Sequence, residues 1–488
     1  MRYLFATAVI VVVCGCRSPR EAFHDHVSRA SNWQVETSLT TVASPPSNHS
    51  SSIEELVDLG LAASPRLRRA MHKAQSLRCR VPQSLSLPDP MVNTTTHLSP
   101  VETAAGRQAF ALGVSQVFVD GERRATKAAI AHDEARAAES EVERERQQLA
   151  EQIRRAGYQL LAVRETIQLT EEDLGSLAQI EDVVRRQYEV QQVVGQQDVL
   201  SVQAEQSRVE IQLSELRQRE ASLTARLARL LHLEPGSNLE LTDSLETVVH
   251  QAEDVDFLVA QALHARPELR RQLARIQSDR RKVCLAVLQQ RPDVTMGLQW
   301  IVTSSSGISP VADGTDALLL GVGFNLPIRK DRISAAKSEA SHAALASMAQ
   351  LEVLQDQIEE EVFDTCAKLE SNAVTVSLLE QDLIPKFERV LDASLEEYAE
   401  GSLDFTQLIE SWRSVLRFHV ALIQSQSTGM QLRATLARQL GEFRPVSSTP
   451  HDSPREVAND GEASPLEDRG SATSLGMHSV PVCAAKTF

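Results

Sequence analysis

The chain carries an internal duplication, and this repeat constrains its fold more than any other feature. Residues Leu61–Arg69 match residues Leu263–Arg271 through the shared pattern L-x-A-x-P-x-L-R-R, at an offset of 202 residues. Four further pairs follow in the same order at offsets of 202 to 210: Pro90 with Pro292, Leu112–Gln116 with Val322–Leu326, Tyr188 with Tyr398, and Leu227–Leu231 with Leu436–Leu440. Ordered self-similarity of this kind indicates two copies of one structural unit.

Each copy predicts a helix, two strands and two long helices. We place the first copy at 53–232, the second at 254–443 and a connection at 233–253. The expected helices are 53–80, 121–190 and 196–232 in the first copy, and 254–290, 331–400 and 403–442 in the second. A helix of 70 residues is about 100 Å long, and such a length requires a coiled-coil or stacked partner.

Heptad spacing predicts that partner. Apolar residues alternate steps of four and three along Leu149, Ile153, Ala156, Leu160, Val163, Ile167, Thr170, Leu174 and Leu177. A second stripe repeats every seven residues at Val362, Leu369, Val376, Leu383 and Val390. These stripes favour coiled-coil packing, with an ordinary helical core as the alternative. We expect Pro385 to kink its helix.

Alternating apolar residues predict four strands, at about 91–98, 109–119, 293–303 and 317–328. Their expected lipid-facing residues are Phe110, Leu112, Val114, Val294, Met296, Leu298, Trp300, Leu320, Val322 and Phe324. A sheet packed on a helix produces the same alternation, so the pattern leaves both environments open. Four strands cannot close a barrel in a membrane, and lipid does not tolerate open edges. If the strands span a membrane, the chain must therefore oligomerise, and three chains would supply twelve strands.

The amino terminus predicts export and lipidation. A basic start and a short apolar run lead into Val13-Cys14-Gly15-Cys16, which resembles a bacterial lipobox. We expect a signal peptide at 1–15, acylation (palmitate) at Cys16 and a flexible linker at 16–50. Arg17 follows Cys16 where an aspartate often retains lipoproteins in the inner membrane, which favours the outer membrane. An ordinary signal peptide with incidental cysteines is the alternative. Residues 444–488 are expected to be a disordered tail.

Composition excludes several classes of function. The formal charge of −16 disfavours nucleic-acid binding. Mean hydropathy is −0.22, and no segment is apolar for long enough to predict a transmembrane helix. Because the sequence lacks Walker, HExxH and GxSxG motifs and metal-ligand spacing, we expect no enzyme activity, cofactor or metal. The pairing of Cys79, Cys284, Cys366 and Cys483 stays open.

The duplicated unit, the paired L-x-A-x-P-x-L segments and the turns after Tyr188 and Tyr398 resemble the outer-membrane efflux protein family, the TolC-like channels. The resemblance implies a mainly α chain with a small β part. It implies a homotrimer with a twelve-stranded barrel in outer-membrane lipid and a long helical coiled-coil tunnel in the periplasm. It further implies a passive channel that meets a periplasmic adaptor and an inner-membrane pump.

The resemblance places a gate and an adaptor-docking surface at the periplasmic tip. The corresponding residues are Tyr188, Gly195 and Asp198 in the first turn, and Tyr398, Gly401, Asp404 and Glu410 in the second. The first turn departs from the Y-x-x-G pattern because Gln191 stands where glycine is expected. The alternative function is that of a periplasmic coiled-coil adaptor or a structural lipoprotein without a pore. The cargo is not predicted.

Overall fold

The computed structural model describes residues 51–191, 196–237, 239–245, 254–305 and 313–442. The predicted signal peptide, the linker with Cys16 and the tail at 444–488 lie outside the described residues. In the described ranges no helix is both long enough and apolar enough to cross a membrane.

Long helices and one small antiparallel sheet make up the fold, so the prediction of a mainly α chain with a small β part is confirmed. The first repeat contains α1 (Ile53–Ala63), α2 (Pro65–Arg78), α3 (Arg80–Leu85), β1 (Met91–Thr103), β2 (Gly106–Phe118), α4 (Gly121–Gln191) and α5 (Gln196–Leu231). The second contains α6 (Val255–Ala265), α7 (Pro267–Leu288), β3 (Val294–Ser304), β4 (Ala317–Phe324), α8 (Lys330–Leu378), a π-helical turn (Leu379–Leu383), α9 (Ile384–Ala399) and α10 (Phe405–Gln439).

The four strands pair in the order β1-β2-β3-β4, each antiparallel to its neighbour. The central pair, β2 with β3, joins the two repeats, and β1 and β4 are the edges. β1 continues to Thr103, past the predicted end at 98, with an irregularity in its pairing after Thr96. β4 ends at Phe324 instead of 328, because Phe324 already pairs with Val294, the first residue of β3.

The first helix of each repeat is interrupted, so the predictions of continuous helices at 53–80 and 254–290 were wrong. The breaks fall at Ser64 and Arg266, whose backbones are extended with ψ of 117° and 129°. Each residue precedes a proline, and the proline ring disfavours helical ψ in the residue before it. The proline then occupies the first position of the next helix, where its missing N–H costs nothing.

A π-helical turn at Leu379–Leu383 lies immediately before the predicted kink at Pro385. The stripe of buried residues on α8 includes Val362, Leu369 and Val376. After the π turn, the buried positions move by one residue to Ile384 and Tyr398. The prediction that Val390 lies in the stripe was wrong, since Val390 is exposed. A π turn holds one extra residue, and this residue shifts the phase of the stripe.

Helix α4 is the central element of the body and packs against α7, α5, α2 and α10. Seven of its nine heptad positions are buried, with Ile153 and Leu160 fully inaccessible, and Ile167 and Leu174 are half-buried. One apolar cluster joins α1, α4 and α5 through residues such as Val57, Ile153 and Leu231. The long helix is therefore held by neighbours along its length, as its spacing requires.

Candidate functional site

The ten predicted lipid-facing residues all lie on one face of the sheet. The register joins them into cross-strand rows: Val92–Val114–Leu298–Leu320, Thr94–Leu112–Trp300–Leu318, Gln116–Met296–Val322 and Phe118–Val294–Phe324, with Phe110 beside Val302. Most of these side chains are exposed in the single chain, and Leu320 is 70% exposed. The sheet therefore presents a continuous apolar face that nothing in the described chain covers.

The opposite face of the sheet has mainly small and polar side chains, and its larger apolar members are Met91, Val117, Ile301 and Leu319. Its rows include Asn93–Gly113–Gln299–Leu319 and Met91–Ser115–Gly297–Gly321. Leu319 is the large apolar side chain of the first row. The two faces differ in polarity as the two sides of a sheet between lipid and water would.

A buried arginine that the sequence analysis did not identify anchors the sheet to the helical body. Arg123, near the start of α4, donates from Nη1 to both carboxylate oxygens of Asp293 at 2.8 and 2.9 Å. Its Nη2 donates to the carbonyl oxygens of Leu288 and Arg291. A planar guanidinium donates hydrogen bonds along fixed directions, so the contact orients both of its partners. It therefore holds the start of β3 against the start of α4.

The ends of the two long hairpins meet in a shared apolar cluster, here called the tip core. Helices α4 and α5 contribute Leu177, Ile180, Val184, Val202 and Val209, and the second hairpin contributes Tyr398, Phe405, Leu408, Ile409 and Trp412. Tyr398 and Phe405 form an edge-on ring contact with centroids 6.1 Å apart. The tip core brings residues of both predicted turns into one packed unit.

The second tip turn is closed by Gly401, whose φ is +75°. Its N–H donates to the carbonyl of Tyr398 at 3.0 Å, and the N–H of Ser402 donates to the carbonyl of Glu397 at 2.9 Å. These two bonds satisfy carbonyls at the end of α9 that would otherwise lack partners. A Cβ added at Gly401 would meet no atom within 4 Å, so the requirement for glycine here comes from the backbone alone.

Tyr398, Asp198 and Asp404 are close neighbours at the tip. Burial, followed by the carboxylates of Asp198 and Asp404, raises the pKa of Tyr398 to about 12. Burial and then Asp404 raise the pKa of Asp198. The Tyr398 hydroxyl is buried and has no hydrogen-bond partner among the described residues. Two carboxylates from different hairpins thus lie beside one phenol.

The predicted first turn is only partly described. Tyr188 lies on α4 and its side chain is 43% exposed, in contrast to the buried Tyr398. Gly195 lies outside the described residues. Asp198 lies in the first turn of α5. The two tyrosines that the repeat aligns therefore occupy different environments.

Glu410 is paired within its own helix. Its Oε1 accepts from Arg413 Nη1 at 2.7 Å. Arg413 also donates to Glu205 of α5, from Nε at 3.0 Å and Nη2 at 2.6 Å. The Glu205 side chain is 8% exposed, and its hydrogen bond with Arg413 lowers the pKa of its carboxyl. Arg413 therefore joins the two hairpins and offsets the negative charge of Glu410. The spacing of residues in the sequence does not predict this role.

Replacing Arg413 with alanine should destabilise the tip by about 1 to 3 kcal/mol, because Glu205 then keeps a buried charge without its main partner. Arg217→Ala is the matched control, since its partner Glu171 is exposed and such pairs contribute about 1 kcal/mol or less. Unfolding of detergent-solubilised protein measures both changes. Equal losses in the two variants would contradict the role of Arg413. Because the pKa of Glu205 is lowered, the stabilisation should disappear as the pH falls through that lowered value.

Asp173 forms a second polar cluster between the hairpins. Its carboxyl lies beside the indole of Trp412 and near His419, and His419 Nε2 lies 3.2 Å from Glu388 Oε1. Burial raises the pKa of Asp173 to about 6, with the effect partly offset by His419 and by the Trp412 N–H. Asp173 Oδ2 and Trp412 Nε1 lack a hydrogen bond of normal geometry among the described residues. Charging Asp173 therefore opposes packing of the two hairpins.

Replacing Asp173 with asparagine should stabilise the protein at pH 7.5 by about 1 kcal/mol, because the amide is neutral like the protonated acid. The wild-type carboxyl keeps its proton up to a pH of about 6 in the folded state but only to about 4 when unfolded. Wild-type stability should therefore fall as the pH rises from 4 to 6. The slope of melting temperature against pH tests this, with the exposed Asp182→Asn as control. An unchanged slope in Asp173→Asn would contradict the assignment.

In the described residues, no group of three or more His, Cys, Asp or Glu side chains is arranged to hold a metal ion. The candidate site has two parts, the apolar face of the sheet at one end and the tip core at the other.

Comparison with known proteins decides the fold. No family model matches the chain, and no curated protein matches it in sequence. Among solved structures, the outer membrane protein VceC of Vibrio cholerae superposes with a TM-score of 0.66 at 18% identity, covering 80% of this chain and 97% of that one. CusC gives 0.68 at 16% identity over 80% and 92%, and the CmeC channel of Campylobacter jejuni gives 0.65 at 15% identity over 83% and 90%.

The chain has the fold of these outer-membrane channels. The coverage of both partners shows that the likeness extends over nearly the whole channel fold, including the sheet and both helical hairpins. Sequence identities of 15 to 18% explain why structure reveals the likeness where sequence matching does not.

Proposed function

We propose that this chain is an outer-membrane channel of a tripartite efflux or secretion system. Three copies would close a twelve-stranded barrel in outer-membrane lipid, continued by a helical tunnel in the periplasm. Substrates would pass without chemistry, and we assign the chain no enzyme activity and no cofactor. A periplasmic adaptor and an inner-membrane pump would supply the partners and the energy.

The observation that supports this proposal most strongly is the sheet with two unlike faces. Its four strands leave the hydrogen-bonding edges of β1 and β4 open. Its exposed apolar face would be costly in water and its open edges would be costly in lipid. Ring closure by further copies of the same sheet would pair the open edges, and lipid around the closed ring would cover the apolar face.

The tip core supports the placement of a gate. Two hairpins meet there through Tyr398, Phe405 and Trp412, and a single buried ion pair, Arg413 with Glu205, crosses between them among the described residues of this cluster. Because packed interfaces of this kind have discrete arrangements, a change in the contact between hairpins would open or close a passage. The acidic turn residues Asp198 and Asp404 would face the adaptor.

Conductance in planar lipid bilayers tests the channel. Purified protein should give stable ion conductance steps and should require detergent for extraction from membranes. Absence of conductance together with release by salt alone would overturn the proposal and favour the alternative, a periplasmic adaptor or structural lipoprotein without a pore. Deletion of residues 91–118 and 294–324 separately removes each strand pair and should abolish the conductance.

We also propose that Cys16 anchors the chain by lipidation. Cys16→Ser should lose incorporation of labelled palmitate, whereas Cys14→Ser, two residues earlier, should keep it. Barrel insertion should survive in Cys16→Ser, because the apolar face of the sheet has far more contact area than one acyl anchor. Equal labelling of both variants would contradict lipidation at Cys16.

A further inference from the structure

Three charged residues form ion pairs at the junction where the first repeat meets the second. Arg291, which precedes β3, pairs with Asp120 at 2.8 Å and with Glu122 at 2.5 Å. Both acids follow the end of β2, so the guanidinium of Arg291 connects the end of β2 with the start of β3. This junction lies inside a single chain.

The internal repeat identifies the equivalent positions at the outer edges of the sheet. The offset of 210 residues that relates Leu112–Gln116 to Val322–Leu326 aligns Asp120 with Lys330 and Glu122 with Arg332. The offset of 202 residues that relates Pro90 to Pro292 aligns Asp89 with Arg291. All three charges are inverted between the two sets.

The inverted set has no ion-pair partner among the described residues of the chain. Asp89, Lys330 and Arg332 are exposed, and none of them forms an ion pair with the described residues. Asp89 precedes the edge strand β1, and the two cations follow the edge strand β4. Three strand spacings of about 4.8 Å separate these edges, so the charges cannot meet across one open sheet.

We propose that Asp89 of one copy pairs with Lys330 and Arg332 of the neighbouring copy, where β4 of one chain adds to β1 of the next. The inference rests on the oligomeric barrel under Proposed function and adds its closing contact. It also sets the register. Within the chain, Phe118 pairs with Val294. The offsets of 210 and 202 residues convert this pair into Ile328 of one copy opposite Val92 of the neighbouring copy.

The buried pair next to this junction has apolar residues at the equivalent positions. The offsets that place Lys330 and Asp89 align Arg123 with Ile333 and Asp293 with Met91. Ile333 is already buried within its own chain, whereas Met91 is 60% exposed in the single chain. The repeat therefore inverts the exposed charges but does not reproduce the buried ion pair at the edges of the sheet.

Charge inversion would also select the correct neighbour. If β4 of one chain approached β4 of another in the same membrane orientation, Lys330 and Arg332 of both copies would meet, and like charges would repel. If it approached β1, they would meet Asp89. An interface gains specificity when the wrong pairing is penalised as well as the right one favoured.

A charge-swap experiment on the full-length protein tests the pair. Asp89→Lys, and separately Lys330→Asp with Arg332→Asp, should each raise by about tenfold the protein concentration at which half of the detergent-purified oligomer dissociates. The variant that combines all three substitutions should recover most of the loss. Asp331→Lys changes the charge in the same segment and is the matched control. Because Asp331 has no proposed partner, combining Asp331→Lys with Asp89→Lys should not restore assembly. Effects that simply add in the combined variant would overturn the proposal.

Cross-linking gives an independent measurement if a swapped variant fails to assemble. In a background with Cys79→Ser and Cys483→Ser, Asp89→Cys with Lys330→Cys should form covalent dimers and trimers under mild oxidation, and each introduced cysteine alone should not. An assembled oligomer without cross-links would overturn the proposed contact. So would a Lys330→Asp, Arg332→Asp variant that assembles normally but binds phosphatidylglycerol vesicles more weakly, since the cations would then face lipid headgroups. A wild-type protein that neither assembles nor conducts would instead overturn the proposed channel.

Discussion

In the proposed channel, replacing Gly401 with proline should reduce efflux to the level of cells lacking this protein, while the proposed trimer still assembles. The backbone of Gly401 has φ of +75°, and proline is fixed near −65°. Proline would also remove the N–H that donates to Tyr398. The second tip turn would then lose its geometry, although the strands and the shaft of the helices stay untouched. Accumulation of a panel of fluorescent dyes in complemented deletion cells measures the loss.

Two further variants sharpen the Gly401 test. Gly236, in the connection between the repeats, also has a positive φ of 98° and no atom within 4 Å of an added Cβ. Gly236→Pro therefore imposes the same backbone conflict away from the tip and should keep efflux. Gly401→Ala should have an intermediate effect, since a left-handed conformation costs an alanine about 1 to 2 kcal/mol. Loss of assembly in Gly401→Pro would mean that the turn serves folding and not the gate.

Replacing Leu320 with arginine should prevent stable insertion into the outer membrane. Leu320 lies on the apolar face in one row with Val114 and Leu298. An arginine on the lipid side of a membrane strand costs about 2 to 4 kcal/mol near the bilayer centre, and a trimer would incur that cost three times. The amount of folded, heat-modifiable protein in isolated outer membranes measures the effect.

The neighbouring residue supplies the control for the Leu320 variant. Leu319 is also exposed but lies on the polar face beside Gln299. Leu319→Arg should therefore insert normally. Equal tolerance of both substitutions would show that neither face meets lipid, and a reversed result would show that the polar face does.

Sequence patterns predicted the elements better than the contacts between them. Alternation at Val294–Trp300 predicted a strand, because burial on one face imposes a period of two. The breaks at Ser64 and Arg266 were also predictable in principle, since each precedes a proline. The pairing of Arg123 with Asp293 was not predictable, because 170 residues separate them and no local period connects the two.

In the candidate site, too, the sequence predicted individual residues better than the contacts between them. Tyr398, Gly401 and Asp404 were singled out because the second turn resembles the Y-x-x-G pattern of the family. The pairing of Glu410 with Arg413 changed the expected electrostatics, since an acid that resembles a gate residue has a cation three residues away. Asp173 could not be identified at all, because its pKa depends on burial against Trp412 from another hairpin.

Because of the π turn at Leu379–Leu383, the orientation of the tip depends on the number of residues in the helix that leads to it. Successive residues of an α-helix are rotated by about 100°, so one additional residue turns everything beyond it by that angle. The rotation directs Tyr398 into the tip core, whereas an uninterrupted heptad would direct Val390 inward instead. The angular relation between shaft and tip is therefore set by the number of residues between Val376 and Tyr398. Evolution could reorient the tip by gaining or losing a single residue there, without altering any side chain that the tip displays.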